Sequence, residues 1–177
     1  YEIASCLVGS EMCIETDAED TKLPAIKKRA VGNWVKEVAA TYGKKVGDIS
    51  YIFCSDEKIL EVNRQYLQHD YYTDIITFDY TSGDKISGDL FISLDTVKTN
   101  SEAFNTPYNE ELHRTIIHGI LHLCGINDKG PGEREIMEAN ENKALAILPE
   151  DAGKVNFPGK KKCLEPLPVK DATEEVV

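Results

Sequence analysis

Residues 115–128, TIIHGILHLCGIND, form the stretch from which the rest of the chain is interpreted. His118 and His122 are four residues apart, so on a helix they lie about 40° apart and one turn above each other. Gly125 follows, and glycine readily adopts the left-handed conformation that ends a helix. Asp128 then supplies a carboxylate after the turn. Two imidazoles and a carboxylate in this order predict a metal site at the end of a buried helix.

The residues around the two histidines agree with a mostly buried helix. Glu111, Arg114 and Thr115 share a polar strip with them, and His113 lies on the apolar side, so we do not expect it to be a ligand. The apolar side carries Leu112, Ile116, Ile117, Ile120, Leu121, Leu123 and Cys124. The residue after His118 is glycine, so this is not the H-E-x-x-H pattern of metalloproteases, in which the glutamate is the general base.

The same stretch resembles a known family signature. HGILHLCGIND, residues 118–128, is similar to the H-G-x-L-H-L-x-G-x-D-H motif of the YbeY family, single-strand-specific endoribonucleases of bacterial rRNA maturation. Residues 63–78, NRQYLQHDYYTDIITF, resemble its second motif, N-x-x-Y-R-x-x-D-x-x-T-D-V-L-S-F. Residues 87–90, SGDL, match its G-D-I/L strand. The three motifs occur in family order, and the resemblance extends over about residues 13–148.

Two positions depart from the family motifs. Asp128 occupies the position of the third histidine, and Leu67 occupies that of an arginine. Aspartate remains a zinc-competent ligand but adds negative charge. Leucine lacks the guanidinium fork that binds phosphate. The resemblance therefore implies one Zn²⁺ per chain, held by His118, His122 and Asp128. It leaves four side chains as candidates for the missing positive charge: Arg64, His69, Arg114 and Lys129.

The resemblance also implies a cleft that binds single-stranded RNA. Glu111 and Asp74 are candidate general bases, and Arg114 is a candidate catalytic cation. Composition alone would make Asp74 a turn or capping residue. The candidate RNA-binding residues are Asn63, Arg64, Tyr66, His69, Asp70, Thr73, Thr77 and Lys129.

Hydrophobic periodicity predicts an α/β protein of α+β-like character, with a small mixed four-stranded sheet flanked by helices. Ser55 is expected to cap the second helix, and Ser93 or Asp95 the third. The predicted strands cover about residues 13–16, 48–54, 75–80 and 86–93. The predicted helices cover about residues 24–42, 56–67, 94–103, 109–124 and 133–148. The last helix is expected to turn Ile136, Met137, Asn140, Ala144, Leu145 and Leu148 inward.

Length and composition predict one soluble domain, because 177 residues with 41% hydrophobic and 29% charged side chains are typical of a globular protein. No apolar run approaches about 20 residues, so we expect no membrane span. Five widely spread cysteines favour free thiols and a cytoplasmic location. We expect residues 1–12 to be an N-terminal extension and residues 149–177 a flexible tail around a domain of residues 13–148.

The net charge of −11 argues against a general polyanion-binding protein, so an RNA enzyme would need a local basic groove or a partner. The function that the family resemblance implies is zinc-dependent endoribonuclease activity in 3′-end maturation of 16S rRNA and in ribosome quality control. Its expected partners are single-stranded RNA, rRNA, the small ribosomal subunit and assembly factors. Two alternatives stay open: a metal-dependent peptide or amide hydrolase, and a non-catalytic ribosome-assembly protein with a structural metal.

Overall fold

The computed structural model describes residues 13–16, 24, 26–70 and 72–152 of the chain. The predicted N-terminal extension lies outside the described residues, and so do residues 153–177 of the predicted tail. The elements are β1 (Cys13–Thr16), α1 (Lys28–Thr41), β2 (Lys45–Cys54), α2 (Asp56–Leu67), β3 (Ile75–Asp79), β4 (Lys85–Ser93), α3 (Leu94–Ala103), α4 (Tyr108–Leu123), α5 (Glu133–Ala146) and a 3-10 helix (Glu150–Ala152).

The four strands form one mixed sheet in the order β1-β2-β4-β3. β1 runs parallel to β2, and β2 runs parallel to β4, so helices must make the crossovers between them. β3 pairs antiparallel with β4 and occupies the sheet edge, with Thr77 opposite Leu90. The predicted fold class, a small mixed four-stranded sheet flanked by helices, is confirmed.

Alternating side chains divide the strands between two hydrophobic clusters. Leu90 and Ile92 of β4 belong to the larger cluster, which also contains Trp34 of α1 and Ile116 of α4. Phe91, between them, belongs to a smaller cluster with side chains of α2. α4 and α2 therefore pack on opposite faces of the sheet.

Gly119 lets α4 approach the sheet closely. A Cβ atom at this position would lie 2.8 Å from Cδ1 of Ile75 and 2.9 Å from Cδ2 of Leu90. Both of those side chains are buried, so they cannot move into solvent to make room. The glycine beside His118 thus fixes the distance between the histidine-bearing helix and strands β3 and β4.

Helix α5 is held against α1 by two hydrogen bonds. The indole Nε1 of Trp34 donates to the main-chain oxygen of Ala144 at 2.8 Å, and Trp34 is fully buried. The hydroxyl of Tyr42 donates to Oδ1 of Asn140 at 2.6 Å. These contacts lie on both sides of residue 141 and set the orientation of the helix.

Several boundaries differ from the predicted ones. α1 begins at Lys28 rather than at Pro24, because Ile26 N bonds to Pro24 O and the helix starts only with the bond from Val31 N to Lys27 O. β2 begins at Lys45, three residues earlier than predicted, because its first residues pair with β4 before a register irregularity. The predicted caps Ser55 and Ser93 are confirmed, since their hydroxyls accept from main-chain N–H groups.

The predicted inward face of α5 needs correction. Ile136 was predicted to face inward, but it is 57% exposed, because the inward positions repeat from Met137 to Glu141 and Ala144. The predicted tail was expected to begin at residue 149. Ala152, however, is buried in the larger cluster, so the packed structure extends past that point.

Among the described residues, none of the helices combines the length and the apolar character that a membrane crossing requires.

Candidate metal centre

The end of α4 brings the histidines and the following aspartate together. After Cys124, Gly125 adopts a φ of +95° and its N–H bonds to the oxygen of His122 at 2.9 Å. Ile126 N then bonds back to Leu121 O at 3.0 Å, which closes the helix end. This is the left-handed termination that glycine favours, and it reverses the chain toward the helix. Asp128 consequently faces His118 and His122.

Three donor atoms of these side chains form a small triangle. The Nε2 atoms of His118 and His122 are 2.9 Å apart. The Oδ2 atom of Asp128 lies 3.6 Å from each of them. A tetrahedral zinc ion with donors at about 2.05 Å would separate them by about 3.3 Å. The predicted ligand set therefore has the chemistry and the spacing for one divalent ion.

The site is largely shielded from solvent. The side chains of His118, His122 and Asp128 are 9%, 4% and 12% exposed. Burying two imidazoles and a carboxylate together is costly unless the polar atoms are paired or bind a cation. Within the described part of the chain, these three residues form the group that could hold a metal ion.

Glu141 of α5 contacts His118 on the side opposite the triangle, and the sequence analysis did not predict it. Its Oε1 atom lies 2.5 Å from Nδ1 of His118. A carboxylate only accepts, so Nδ1 carries the proton and Nε2 keeps the lone pair that a metal needs. One sequence feature could have indicated this contact. Glu141 lies four residues after Met137 and three before Ala144, so it is an acid among the inward-facing positions of the helix.

Arg114 is held between acids. Its Nη1 atom donates to Oε2 of Glu141 at 3.2 Å, and its Nη2 atom lies 3.6 Å from Oε1 of Glu110. The structure thus joins Arg114, Glu141 and His118 in one chain of contacts. As a candidate catalytic cation, Arg114 already has two carboxylate neighbours.

Glu111 is buried on α4, about two turns before His118, and accepts a hydrogen bond from Oγ1 of Thr106 at 3.4 Å. Burial raises the pKa of its carboxyl group, and the nearby charge of Arg114 opposes part of that rise. A buried carboxyl with a raised pKa has the character of a general acid or base.

Asp74 lies immediately before β3. Its main-chain oxygen accepts from Ser93 N at 2.8 Å, which joins the start of β3 to the end of β4. Oγ1 of Thr73 donates to Ile75 O at 3.3 Å and lies 3.5 Å from Oδ1 of Asp74. Thr73 is buried, and so is Thr77, which belongs to β3. These contacts order the edge strand.

The remaining second-motif residues lie at the carboxyl end of α2. Asn63 is fully buried, and its main-chain oxygen accepts from His69 N at 3.2 Å. Arg64 forms an exposed ion pair with Asp70. Tyr66 is 39% exposed and packs edge-on against Phe78, with ring centroids 5.8 Å apart. Asn63, Arg64 and Tyr66 belong to α2, which packs on the face of the sheet opposite α4.

Leu67 and Lys129 complete the set of motif positions. Leu67, in the arginine position, packs partly buried against the smaller hydrophobic cluster. Lys129 is exposed and directly follows Asp128. Of the four cation candidates, Lys129 is therefore the one that adjoins the triangle in the chain and faces solvent.

The fold and the triangle together define a class: small α+β proteins with a three-donor metal site at the carboxyl end of a buried helix. A family model described as Endoribonuclease YbeY matches residues 14–149. The chain belongs to the YbeY family, and the resemblance found in the three motifs is confirmed.

Curated relatives agree with this assignment, and a solved structure shares the fold. A protein from Parabacteroides distasonis named Endoribonuclease YbeY is 84% identical over 140 residues, which are 79% of this chain and 99% of the relative. One of the same name from Bacteroides fragilis is 78% identical, over 77% of this chain and 98% of the relative. A solution structure from Thermotoga maritima has a TM-score of 0.55 at 23% identity. It covers 85% of this chain and 99% of its own, and it shares the fold.

Proposed function

We propose that this protein is a metal-dependent endoribonuclease that hydrolyses phosphodiester bonds in single-stranded RNA. The observation that carries the proposal is the triangle of His118, His122 and Asp128 donors, with separations of 2.9 and 3.6 Å. Membership of a family whose relatives bear the name Endoribonuclease YbeY supports RNA as the substrate. A divalent ion held there would act as a Lewis acid, which would neutralise charge on a phosphoryl oxygen and activate water.

The chain's own residues divide the remaining tasks. Asp128 adds the negative charge that holds a divalent ion more tightly than a third imidazole would. Glu111, with its raised pKa, is the proposed proton acceptor, and Asp74 is the second candidate. Lys129 is the proposed phosphate contact, because Arg64 and Arg114 are engaged by carboxylates. We keep Asn63, Tyr66, His69, Asp70, Thr73 and Thr77 as residues that shape the RNA-binding region.

We further propose zinc as the metal and 3′-end maturation of 16S rRNA, with a part in ribosome quality control, as the biological role. Nitrogen and carboxylate donors in a triangle of this size suit zinc. The family resemblance supports the rRNA substrate, the small ribosomal subunit and assembly factors as partners, and a cytoplasmic location.

Cleavage of a single-stranded RNA oligonucleotide by the purified full-length chain tests the activity, with the same sequence as a duplex for comparison. Chelator treatment should abolish cleavage of the single strand, and Zn²⁺ should restore it. Cleavage that continues after complete metal removal would contradict metal dependence. Hydrolysis of an unstructured peptide instead of RNA would favour the peptide hydrolase.

A non-catalytic binding protein is the second candidate, and Leu67 favours it, because the apolar side chain replaces the phosphate-binding arginine of the family motif. Stoichiometric zinc without cleavage of any single-stranded RNA would support this alternative and contradict the enzyme.

The proton acceptor can be tested separately. Glu111→Gln should lower turnover by about 10²-fold or more at unchanged metal content, since general-base catalysis contributes that much. Asp74→Asn is compared in the same assay, and exposed Glu135→Gln on α5 is the control. Unchanged turnover in both variants would remove both candidates.

A further inference from the structure

The most informative contact outside the metal triangle is the one between α4 and α5. The two oxygens of Glu141 have different partners: Oε1 lies 2.5 Å from Nδ1 of His118, and Oε2 accepts from Nη1 of Arg114 at 3.2 Å. The Glu141 side chain is 10% exposed. The Glu141 carboxylate therefore contacts both an imidazole N–H and a guanidinium, in a site that is shielded from water.

We propose that Glu141 is a positioning residue that fixes the tautomer and ring orientation of His118, and that Arg114 in turn fixes Glu141. This inference rests on the proposed function, because it assigns the Nε2 atom of His118 to a metal ion.

The tautomer follows from the chemistry of the pair. A neutral imidazole carries one N–H, and the Glu141 carboxylate can only accept, so the hydrogen belongs on Nδ1 of His118. Nε2 then has its lone pair directed at the triangle with Asp128, 3.6 Å away. A carboxylate on the outer nitrogen also makes the imidazole a stronger donor to a metal.

The position of Glu141 is set by the fold. Trp34 of α1 and Tyr42, which directly follows α1, hold α5 through Ala144 and Asn140, on both sides of the glutamate. The carboxylate therefore meets His118 because three helices pack in a fixed arrangement. Pre-organisation of this kind lowers the cost of ordering a ligand when the ion binds.

Loss of such an outer partner typically weakens metal affinity by about 10- to 100-fold. Glu141→Ala should show this loss for Zn²⁺, whereas Glu141→Gln should lose less, because its amide oxygen still accepts from Nδ1. Glu138→Ala and Glu138→Gln are the matched controls, since Glu138 is an exposed acid on the same helix. Their zinc affinity should equal that of the wild type.

The experiment combines two measurements on the full-length chain. Competition with a chromogenic chelator gives the dissociation constant for Zn²⁺, and circular dichroism verifies folding of each variant. Nitrogen-15 spectra of the zinc-free wild type report the tautomer of His118 directly, and this signature does not depend on activity. We expect Nδ1–H in the wild type and in Glu141→Gln, and a mixture of tautomers in Glu141→Ala.

A folded Glu141→Ala variant with the zinc affinity of the wild type would overturn the positioning role. So would a wild-type His118 protonated on Nε2. If Glu141→Ala does not fold, Glu141→Gln and the wild-type spectrum decide the question. This experiment does not measure RNA cleavage. A wild type that binds zinc but fails to cleave RNA in the separate assay would contradict only the proposed function. A wild type that binds no zinc would overturn both the proposed function and the positioning role of Glu141.

Discussion

At the scale of single residues, two of the three buried histidines of α4, His113 and His118, have different surroundings. His113 is fully buried, its Nδ1 atom lies 2.7 Å from Asn109 O, and its ring packs edge-on against Trp34 at 5.9 Å. His118 instead meets two carboxylates, Glu141 and Asp128. Position on the same helix therefore places His113 in the core and His118 in the candidate metal site.

His113 should make the fold sensitive to acid. Burial lowers its pKa below the ordinary value of 6.5, so the unfolded chain takes up the proton more readily than the folded chain. The stability that neutral His113 contributes is present above pH 6.5 and is lost as the pH falls through the lowered value. His113→Leu should thus flatten the dependence of unfolding free energy on pH.

Urea unfolding of the metal-free wild type and of His113→Leu, well above and well below pH 6.5, measures this effect. Removing the metal keeps ligand protonation equal in the two proteins. Identical pH dependence in both would show that His113 does not titrate differently on folding.

The clustering of the three candidate metal ligands could be predicted from sequence, because one helix turn and one glycine turn bring their side chains together. His118, His122 and Asp128 lie within one short segment, so local geometry suffices. Glu141 could not be predicted in the same way. It reaches His118 across 23 residues, and the contact depends on how α5 packs against α4.

At the scale of elements, α4 packs tightly against the sheet at Gly119. Its neighbours there, Ile75 and Leu90, belong to the two adjacent strands β3 and β4. Gly119, which has no side chain, therefore allows the helix that carries His118 and His122 to pack directly on the sheet.

Gly119→Ala should destabilise the protein. Alanine is about 1 kcal/mol better than glycine in a helix. Its Cβ atom would nevertheless lie within 2.9 Å of two buried side chains, and overpacking of this kind costs about 1–3 kcal/mol. We therefore expect a net loss of unfolding free energy in urea melts of the metal-free protein. A variant more stable than the wild type would mean that the helix can move away from the sheet at little cost.

Periodicity predicted the existence of every strand and α-helix in the described residues, but it did not predict all of their ends or the short 3-10 helix. α2 and α3 match the predicted bounds, because Ser55 and Ser93 mark their starts. The start of β2 depends on pairing with Lys85 and Ile86, which is a long-range contact. The inward face of α5 was misassigned because buried Glu141 occupies a position that apolar patterning excludes.

At the scale of the whole molecule, helices pack on both faces of the sheet, and the short 3-10 helix packs against the larger hydrophobic cluster. Ala152 is buried there, and its helix contacts α1. The family match ends at residue 149, so the packed structure continues slightly beyond it.

Truncation should reveal this boundary. A chain ending at residue 152 should unfold at the same temperature as the full chain, because it keeps Ala152, which is buried in the larger cluster. A chain ending at residue 148 should lose about 1 kcal/mol, since it uncovers the apolar surface that Ala152 buries. Equal thermal stability of the two truncated chains would place the boundary at residue 148.

The distribution of charge over the folded protein is the property that the sequence predicted least well. The net charge of −11 predicted a need for a local basic groove. Arg64 and Arg114 were two candidates, and each faces an acid in the fold: Asp70 and Glu141. Such pairing depends on tertiary packing, so composition could not predict it.

Metal content per chain, measured by mass spectrometry beside single-stranded RNA cleavage, tests whether the triangle of His118, His122 and Asp128 is a catalytic zinc site. The wild type and the exposed-acid control Asp48→Ala should each hold about one zinc ion and cleave RNA, whereas Asp128→Ala should lose both together. Zinc retained at the wild-type level in Asp128→Ala, or cleavage by the metal-free variant, would contradict the account.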